Sequence, residues 1–247
     1  KPLNVKLEGN IYSNHLTFNE NLEMRDKQSN FQYILKKFKP KNILEIGFNA
    51  GFSCLLMKMI LPDSSITCID LNEHKYVMPC FNKLSSDFTN LKMILGSSYD
   101  VGLPKLIKEN LKFDLIHIDG DHRLEGAKKD LDLCIKLSHN QTIIIFDDTN
   151  IKYLDDLCTY YVKNNILKDY YFNEYLNKQA YKHRFLQLNS NKIPVYLSLT
   201  SIFKNQDLLL QTLVSLIKQT IKPDKIFLYL SEEAYILDSG FKDKRIT

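Results

Sequence analysis

Apolar residues recur along the first two thirds of the chain in two alternating periods. Phe31, Ile34, Leu35 and Phe38 fall at i, i+3, i+4 and i+7, one face of a helix that Pro40 ends. Short, almost unbroken apolar runs follow at Ile43–Ile46, Ile66–Ile69, Leu91–Leu95, Phe113–Ile118 and Thr142–Phe146. Each is about one strand long, and continuous apolar character suits strands buried on both faces of a parallel sheet. Helical patterns fill the gaps: Ser53–Ile60, closed by Pro62-Asp63, and a less periodic Tyr76–Phe88. Two further stripes are Leu124, Ala127, Leu131, Cys134 and Ile135, then Leu154, Leu157 and Tyr161. Two aromatic runs, Tyr170–Tyr175 and Tyr181–Leu188, flank Asn177-Lys178-Gln179 and predict two final strands in antiparallel pairing. The alternation predicts an α/β fold with a doubly wound, seven-stranded sheet, mostly parallel with an antiparallel last strand.

Asn189-Ser190-Asn191-Lys192 is a short polar break. It divides the chain into a first domain, 1–190, and a segment, 191–247. The segment repeats the pattern once: Val195–Thr200, an apolar-faced Gln206–Gln219, and Lys225–Leu230. One β–α–β unit of this size does not easily bury a core alone, so it either packs on the first domain or opens an incomplete second one. The chain starts at Lys1 rather than Met, which is expected of a piece of a longer protein.

Composition narrows the class without choosing a function. The net charge is +4, from 33 basic and 29 acidic residues that are interspersed. With no arginine-rich stripe, nucleic acid is not an expected partner. No apolar stretch approaches the roughly 20 residues that cross a bilayer, so no membrane span is expected. The five cysteines form no C-x-x-C pair and sit mostly in apolar runs. They read as reduced thiols, consistent with a cytoplasmic protein.

Two regions carry chemistry. The first is Ile43-Leu44-Glu45-Ile46-Gly47-Phe48-Asn49-Ala50-Gly51-Phe52-Ser53: strand, glycine turn, helix start. Gly47 permits the turn, Gly51 permits close approach, and free amides at the helix start favour an anionic group. A purely structural turn would use the same glycines. A dinucleotide loop wants a middle glycine where Asn49 stands, which disfavours a nicotinamide oxidoreductase. Asp70 ends the next strand, 23 residues after Gly47, where it can accept hydrogen bonds from two ribose hydroxyls.

The second region is acidic. Asp119-Gly120-Asp121-His122 ends the fourth strand and Asp147-Asp148 the fifth. Neighbouring strands lie about 4.8 Å apart, and ligands bind beyond their carboxyl ends, so Asp119, Asp147 and Asp148 converge. Clustered carboxylates call for a cation, and all-oxygen ligation points to Mg²⁺ or another hard divalent ion. Asp121, Asp148 or Thr149 could instead cap the helices that follow. His117 lies within its strand, facing away from Ile116 and Ile118, as a core or supporting histidine.

E-I-G-F-N-A-G-F-S followed by I-D-L-N-E resembles the class I S-adenosylmethionine-dependent methyltransferases, across roughly residues 20–188. The resemblance implies a Rossmann-like sheet with Glu45, Gly47 and Gly51 beside the methionine portion of the cofactor, Asp70 on the ribose and Gly96-Ser97-Ser98 at the adenine. Phe48, Asn49, Ser53, Leu71 and Asp119 complete the implied cofactor set. The acidic strand ends resemble those of metal-dependent O-methyltransferases of the catechol and antibiotic-sugar types. That implies Asp119, Asp147 and Asp148 as metal ligands, and Asp121 or His122 as the base that takes a hydroxyl proton. Asp148 departs from the catechol type, which has Asn there, and His122 stands where that type has lysine. Residues 1–30 are expected to form a lid, with His15, Glu23 and Arg25 over the site and Gln28 and Asn30 reaching the cofactor.

Pro194–Ser201 with Leu216–Ile226 resembles the opening of a family 2-like glycosyltransferase domain. It lacks a D-x-D metal motif and on its own should not transfer sugar. Association with it favours a sugar, glycan or nucleotide-sugar acceptor over other small molecules. The alternative is a glycosyltransferase piece whose first domain only binds or positions. A homodimer is left open.

Overall fold

The computed structural model describes residue 7 and residues 25–172, 182–189, 196–201, 206–218 and 225–230. The chain divides into two compact units, Lys1–Ser190 and Asn191–Thr247.

The first unit opens with α1 (Arg25–Phe38) and β1 (Asn42–Ile46). It continues through α2 (Phe52–Ile60), β2 (Ser65–Asp70), α3 (Val77–Asp87) and β3 (Leu91–Leu95). A π-helical turn (Ser98–Gly102) leads into α4 (Leu103–Lys108), then β4 (Phe113–Ile118), α5 (Leu124–Leu137) and β5 (Ser138–Phe146). The unit ends with α6 (Lys152–Lys163), β6 (Leu167–Asp169) and β7 (Arg184–Leu188). The seven strands lie in the order β3-β2-β1-β4-β5-β7-β6, which makes the expected seven-stranded, doubly wound sheet. β1 to β5 are parallel, and β7 runs antiparallel to both β5 and β6.

Side-chain alternation sends each strand's residues to two separate cores. Ile43, Leu115, Ile143 and Ile145 face α1, α2 and α3. Leu44, Ile46, Ile116, Ile118, Ile144 and Phe146 face α4, α5 and α6. This two-sided burial explains why the strands read as unbroken apolar runs. Phe31, Ile34 and Leu35 of α1 are fully buried in the first core. Residues 25–30 are therefore the first turns of a packed helix rather than a separate lid. The remainder of the expected lid, apart from Leu7, lies outside the described residues. Leu7 itself packs against the α1 face of the sheet.

Two elements differ from expectation. β6 precedes Tyr170 instead of starting there, because the aromatic residues pack on α1: Phe172 stacks on Tyr33 at 4.5 Å and Tyr170 meets Phe38 edge-on at 5.2 Å. The part of that expected pair over residues 173–181 lies outside the described residues. α4 and the π-helical turn had no predicted counterpart, because their buried apolar residues, Leu103 and Leu106 with Gly102, are too few to show a period.

In the second unit, β8 (Tyr196–Ser201), α7 (Gln206–Lys218) and β9 (Lys225–Leu230) form the predicted β–α–β unit, with β8 and β9 parallel.

Candidate active site

The strand ends align because each parallel ladder continues one residue past its strand. Gly96 N donates to Asp70 O, Gly47 N to Ile69 O, Asp119 N to Ile46 O and Asp147 N to Ile118 O, all at 2.9–3.0 Å. The residues after β3, β2, β1, β4 and β5 thus stand in a row across the carboxyl edge. Helices leave β1 and β4 toward opposite faces, and that switch point opens a cleft.

The cleft has a volume of about 720 Å³ and is lined by Gly47, Asn49, Asp70, Leu71, Gly96, Ser97, Ser98, Asp119, Asp121 and His122 among others. Its size lies within the usual range for small-molecule sites. Gly47 has φ +86°, and a Cβ there would lie 1.9 Å from the carbonyl oxygen of Asp119. The turn is held by Asp70, whose two oxygens accept from Asn49 N at 2.8 Å and Asn72 N at 2.7 Å. Each carboxylate oxygen keeps a second lone pair for a ligand hydroxyl. Tyr76 donates to Asn49 Oδ1 at 2.7 Å and fixes that side chain. Ser97 donates to Asp100 at 2.9 Å, and Gly96 bends the chain away from β3 with φ +119°.

Four residues of the implied cofactor set lie behind the loop instead of lining the cleft. Phe48 is buried and meets Phe81 edge-on at 5.6 Å. Gly51 is needed because a Cβ would lie 2.5 Å from the Phe48 ring, with φ at +79°. Ser53 donates to Glu45, which is fully buried and also faces His117 Nδ1 at 3.4 Å. These four shape the loop from within.

A polar chain runs beneath the acidic strand ends. His117 sits between Glu45 and Asp147 Oδ2, the latter 3.5 Å from its Nε2. Burial alone would lower the histidine, but hydrogen bonds to Asp147 and Glu45 raise it to about 9. Lys27 of α1 forms an ion pair with Asp147, both side chains almost completely buried. Burial opposes the lysine's charge, but Asp147 and then Asp119 hold it above its ordinary value. Burial would likewise raise Asp147, yet Lys27 and His117 hold it well below the usual carboxylate range. The other oxygen of Asp147 accepts from Asp148 N at 2.8 Å. Lys27 was not singled out in the sequence. Its signal was position: it stands four residues before Phe31, on the same helical stripe.

The three expected acids divide between two groups that share Asp119: His117, Asp119 and Asp147 in one, and Asp119, His122 and Asp148 in the other, with ligand atoms in each within 4.8 Å of one another. His122 Nε2 lies 2.9 Å from Asp148 and 3.5 Å from Asp119, and these contacts raise it to about 10. Both carboxylates favour the charged form of the ring. Asp121 is also claimed: Arg123 contacts both its oxygens at 2.7–3.2 Å and holds it below the usual carboxylate range. That leaves it a weak base. Asp119, by contrast, is raised by burial and by Asp147, and a third of its side chain is exposed.

The expected divalent ion fares differently. An ion held jointly by Asp119, Asp147 and Asp148 would share Asp147 Oδ2 with the Lys27 ammonium. Two cations on one buried oxygen repel strongly. The donor set as folded does not fit that ion. Asn30, expected near the cofactor, is fully buried with Nδ2 at 3.3 Å from His183 Nε2. All five cysteines are free and buried, and among the described residues no helix is long and apolar enough to cross a membrane.

Residues 44–149 match the family profile described as "Methyltransferase domain". No curated protein sequence matches the chain. Solved structures with similar folds include an O-methyltransferase from Bacillus cereus bound to SAH, at 16% identity, TM-score 0.54, covering 66% of this chain and 80% of that one. Another is the O-methyltransferase TomG of Streptomyces achromogenes with SAM, at 14% identity, TM-score 0.54, covering 71% and 82%. A third is SAH-bound PaMTH1 of Podospora anserina, at 16% identity, TM-score 0.52, covering 66% and 77%. At these identities the structures establish the fold. The profile match places a methyltransferase domain at residues 44–149, within the first unit.

Proposed function

We propose that this chain methylates a hydroxyl group of a small-molecule acceptor. The single observation that carries the reading is the cleft: a glycine turn and a ribose-type aspartate at one end, Asp119 and His122 at the other. Gly47, Asn49, Asp70, Leu71 and the Gly96–Ser98 segment would hold the cofactor, through backbone amides and the spare lone pairs of Asp70. S-adenosylmethionine, when bound there, supplies a methyl group already activated on a sulfonium.

The chain's own residues then have three tasks. They orient the acceptor, exclude water, and take a proton from its hydroxyl. Asp119 is the group we assign to the proton: it lines the cleft, and its environment makes it more basic than a free aspartate. His122, charged and half-exposed beside it, stabilises negative charge developing on the acceptor oxygen. Asp121 and Arg123 neutralise one another at the rim. No divalent ion enters this sequence of events.

We infer a sugar or glycan hydroxyl as the acceptor class. The support is the second unit, whose parallel β–α–β arrangement is compatible with the glycosyltransferase-like opening. The test is a screen of sugar, nucleotide-sugar and catechol acceptors by mass spectrometry, with S-adenosylmethionine as donor. A gain of one methyl group on a sugar supports the reading. Methylation of catechols alone would overturn the sugar assignment, and transfer only to nitrogen acceptors would overturn the hydroxyl.

A further inference from the structure

Lys27 is a costly residue to place where it is. It is 6% exposed, on a buried helix face that it shares with Asn30, Phe31, Ile34 and Leu35. A lysine on such a face needs a partner, because an unpaired buried ammonium is strongly unfavourable. Its partner is Asp147 Oδ2. That oxygen also faces His117 Nε2 at 3.5 Å, and ligand atoms of His117, Asp119 and Asp147 all lie within 4.8 Å of one another. The ammonium therefore enters the strand-end acid cluster from the side of α1. Asp147 in turn fixes the backbone of Asp148 through its other oxygen, and Asp148 holds His122 at 2.9 Å. The chain of contacts from Lys27 to the cleft wall is unbroken.

We propose that Lys27 is the built-in cation of this acid cluster, standing where a divalent ion would otherwise bridge Asp147 to its neighbours. Lys27 is then a positioning residue: it orients Asp147, and through Asp148 it sets His122 against Asp119. It also seats α1 against the carboxyl edge of the sheet, so that building the helix and building the site are one event. A tethered ammonium offers one charge and three donors at a fixed place, without dependence on the supply of metal. The inference rests on the methyltransferase reading only for its effect on turnover; the ion pair is testable without it.

The test is calorimetric titration of Mn²⁺ into the full chain with S-adenosylhomocysteine present. In the otherwise unaltered chain, Asp147→Asn should leave the Mn²⁺ affinity within about two-fold, because Asp147 is already taken. Lys27→Met should raise Mn²⁺ affinity about ten-fold or more, because a carboxylate is freed for an oxygen-seeking ion. Adding Asp147→Asn to Lys27→Met should abolish that gain. A purely packing role for Lys27 predicts no gain of metal binding. A ten-fold loss of Mn²⁺ affinity on Asp147→Asn alone would overturn the proposal, since the metal would then be displacing the lysine. Should Lys27→Met not fold, melting of the Lys27→Met/Asp147→Asn pair decides: recovery toward the unaltered chain supports the ion pair, and no recovery overturns it.

Discussion

Gly47 and Asp119 touch backbone to backbone, and the space between them is too small for a methyl group. A Cβ at Gly47 would lie 1.9 Å from Asp119 O, and φ is +86°, which L residues rarely adopt. Gly47→Ala should therefore destabilise the domain by more than the roughly 1–2 kcal/mol of the conformational penalty alone. Urea unfolding would show it, together with weakened binding of S-adenosylhomocysteine; unchanged stability would contradict the close approach. Asp130 makes a different residue-scale prediction. It is fully buried on α5, its oxygens make no well-formed hydrogen bond among the described residues, and burial pushes it up to about 6. The folded chain thus holds a proton that the unfolded chain releases at about pH 4. Its contribution to stability is full below about pH 4 and is lost as pH rises through about 6. Asp130→Asn, which stays neutral, should gain stability relative to the parent across that window; a difference that stays flat with pH would contradict it. The glycines and acids were legible because their residue types announce a turn or a charge. Lys27 was not, because a lysine normally reads as surface, and only its place four residues before Phe31 marks it as buried.

Among the elements, α1 and β7 show how much depends on contacts between distant segments. β7 is tied down by Arg184, which reaches Asp169 of β6 through two nitrogens at 2.7–3.0 Å. It also reaches Asp155 at 3.1 Å and Thr159 at 2.8 Å, both on α6. Arg184→Lys cannot reproduce this fork and should cost about 1–3 kcal/mol in urea unfolding. Cofactor affinity should stay the same, since none of these residues lines the cleft; a large loss of affinity would show that this edge of the sheet acts on the site. The five parallel strands were legible because burial on both faces leaves unbroken apolar runs. The start of β5 was hidden, because its first residues, Ser138-His139-Asn140-Gln141, are polar and His139 N bonds the Thr142 hydroxyl at 2.8 Å. β6 was misplaced for a related reason. Tyr170 and Phe172 look like strand residues, but their rings spend their apolar surface on α1.

At the scale of the whole molecule, one topological fact produces the site. The order β3-β2-β1-β4-β5 reverses between β1 and β4, and register places Gly96, Asp70, Gly47, Asp119 and Asp147 along one edge. That much followed from strand order and residue type. What did not follow was the charge balance, because it depends on which side chains from α1 and the β4–α5 loop reach the edge. The acids suggested a metal; the fold supplies Lys27, His117 and His122 beside them. The claim on which the rest depends is that the cleft binds S-adenosylmethionine through Asp70. Calorimetric titration of S-adenosylmethionine into the full chain and its Asp70→Ala variant tests it most directly. The account predicts saturable one-to-one binding, weakened about 10- to 100-fold in the variant as hydrogen bonds to a charged group are lost. Absence of binding, or equal affinity in the two proteins, would contradict it.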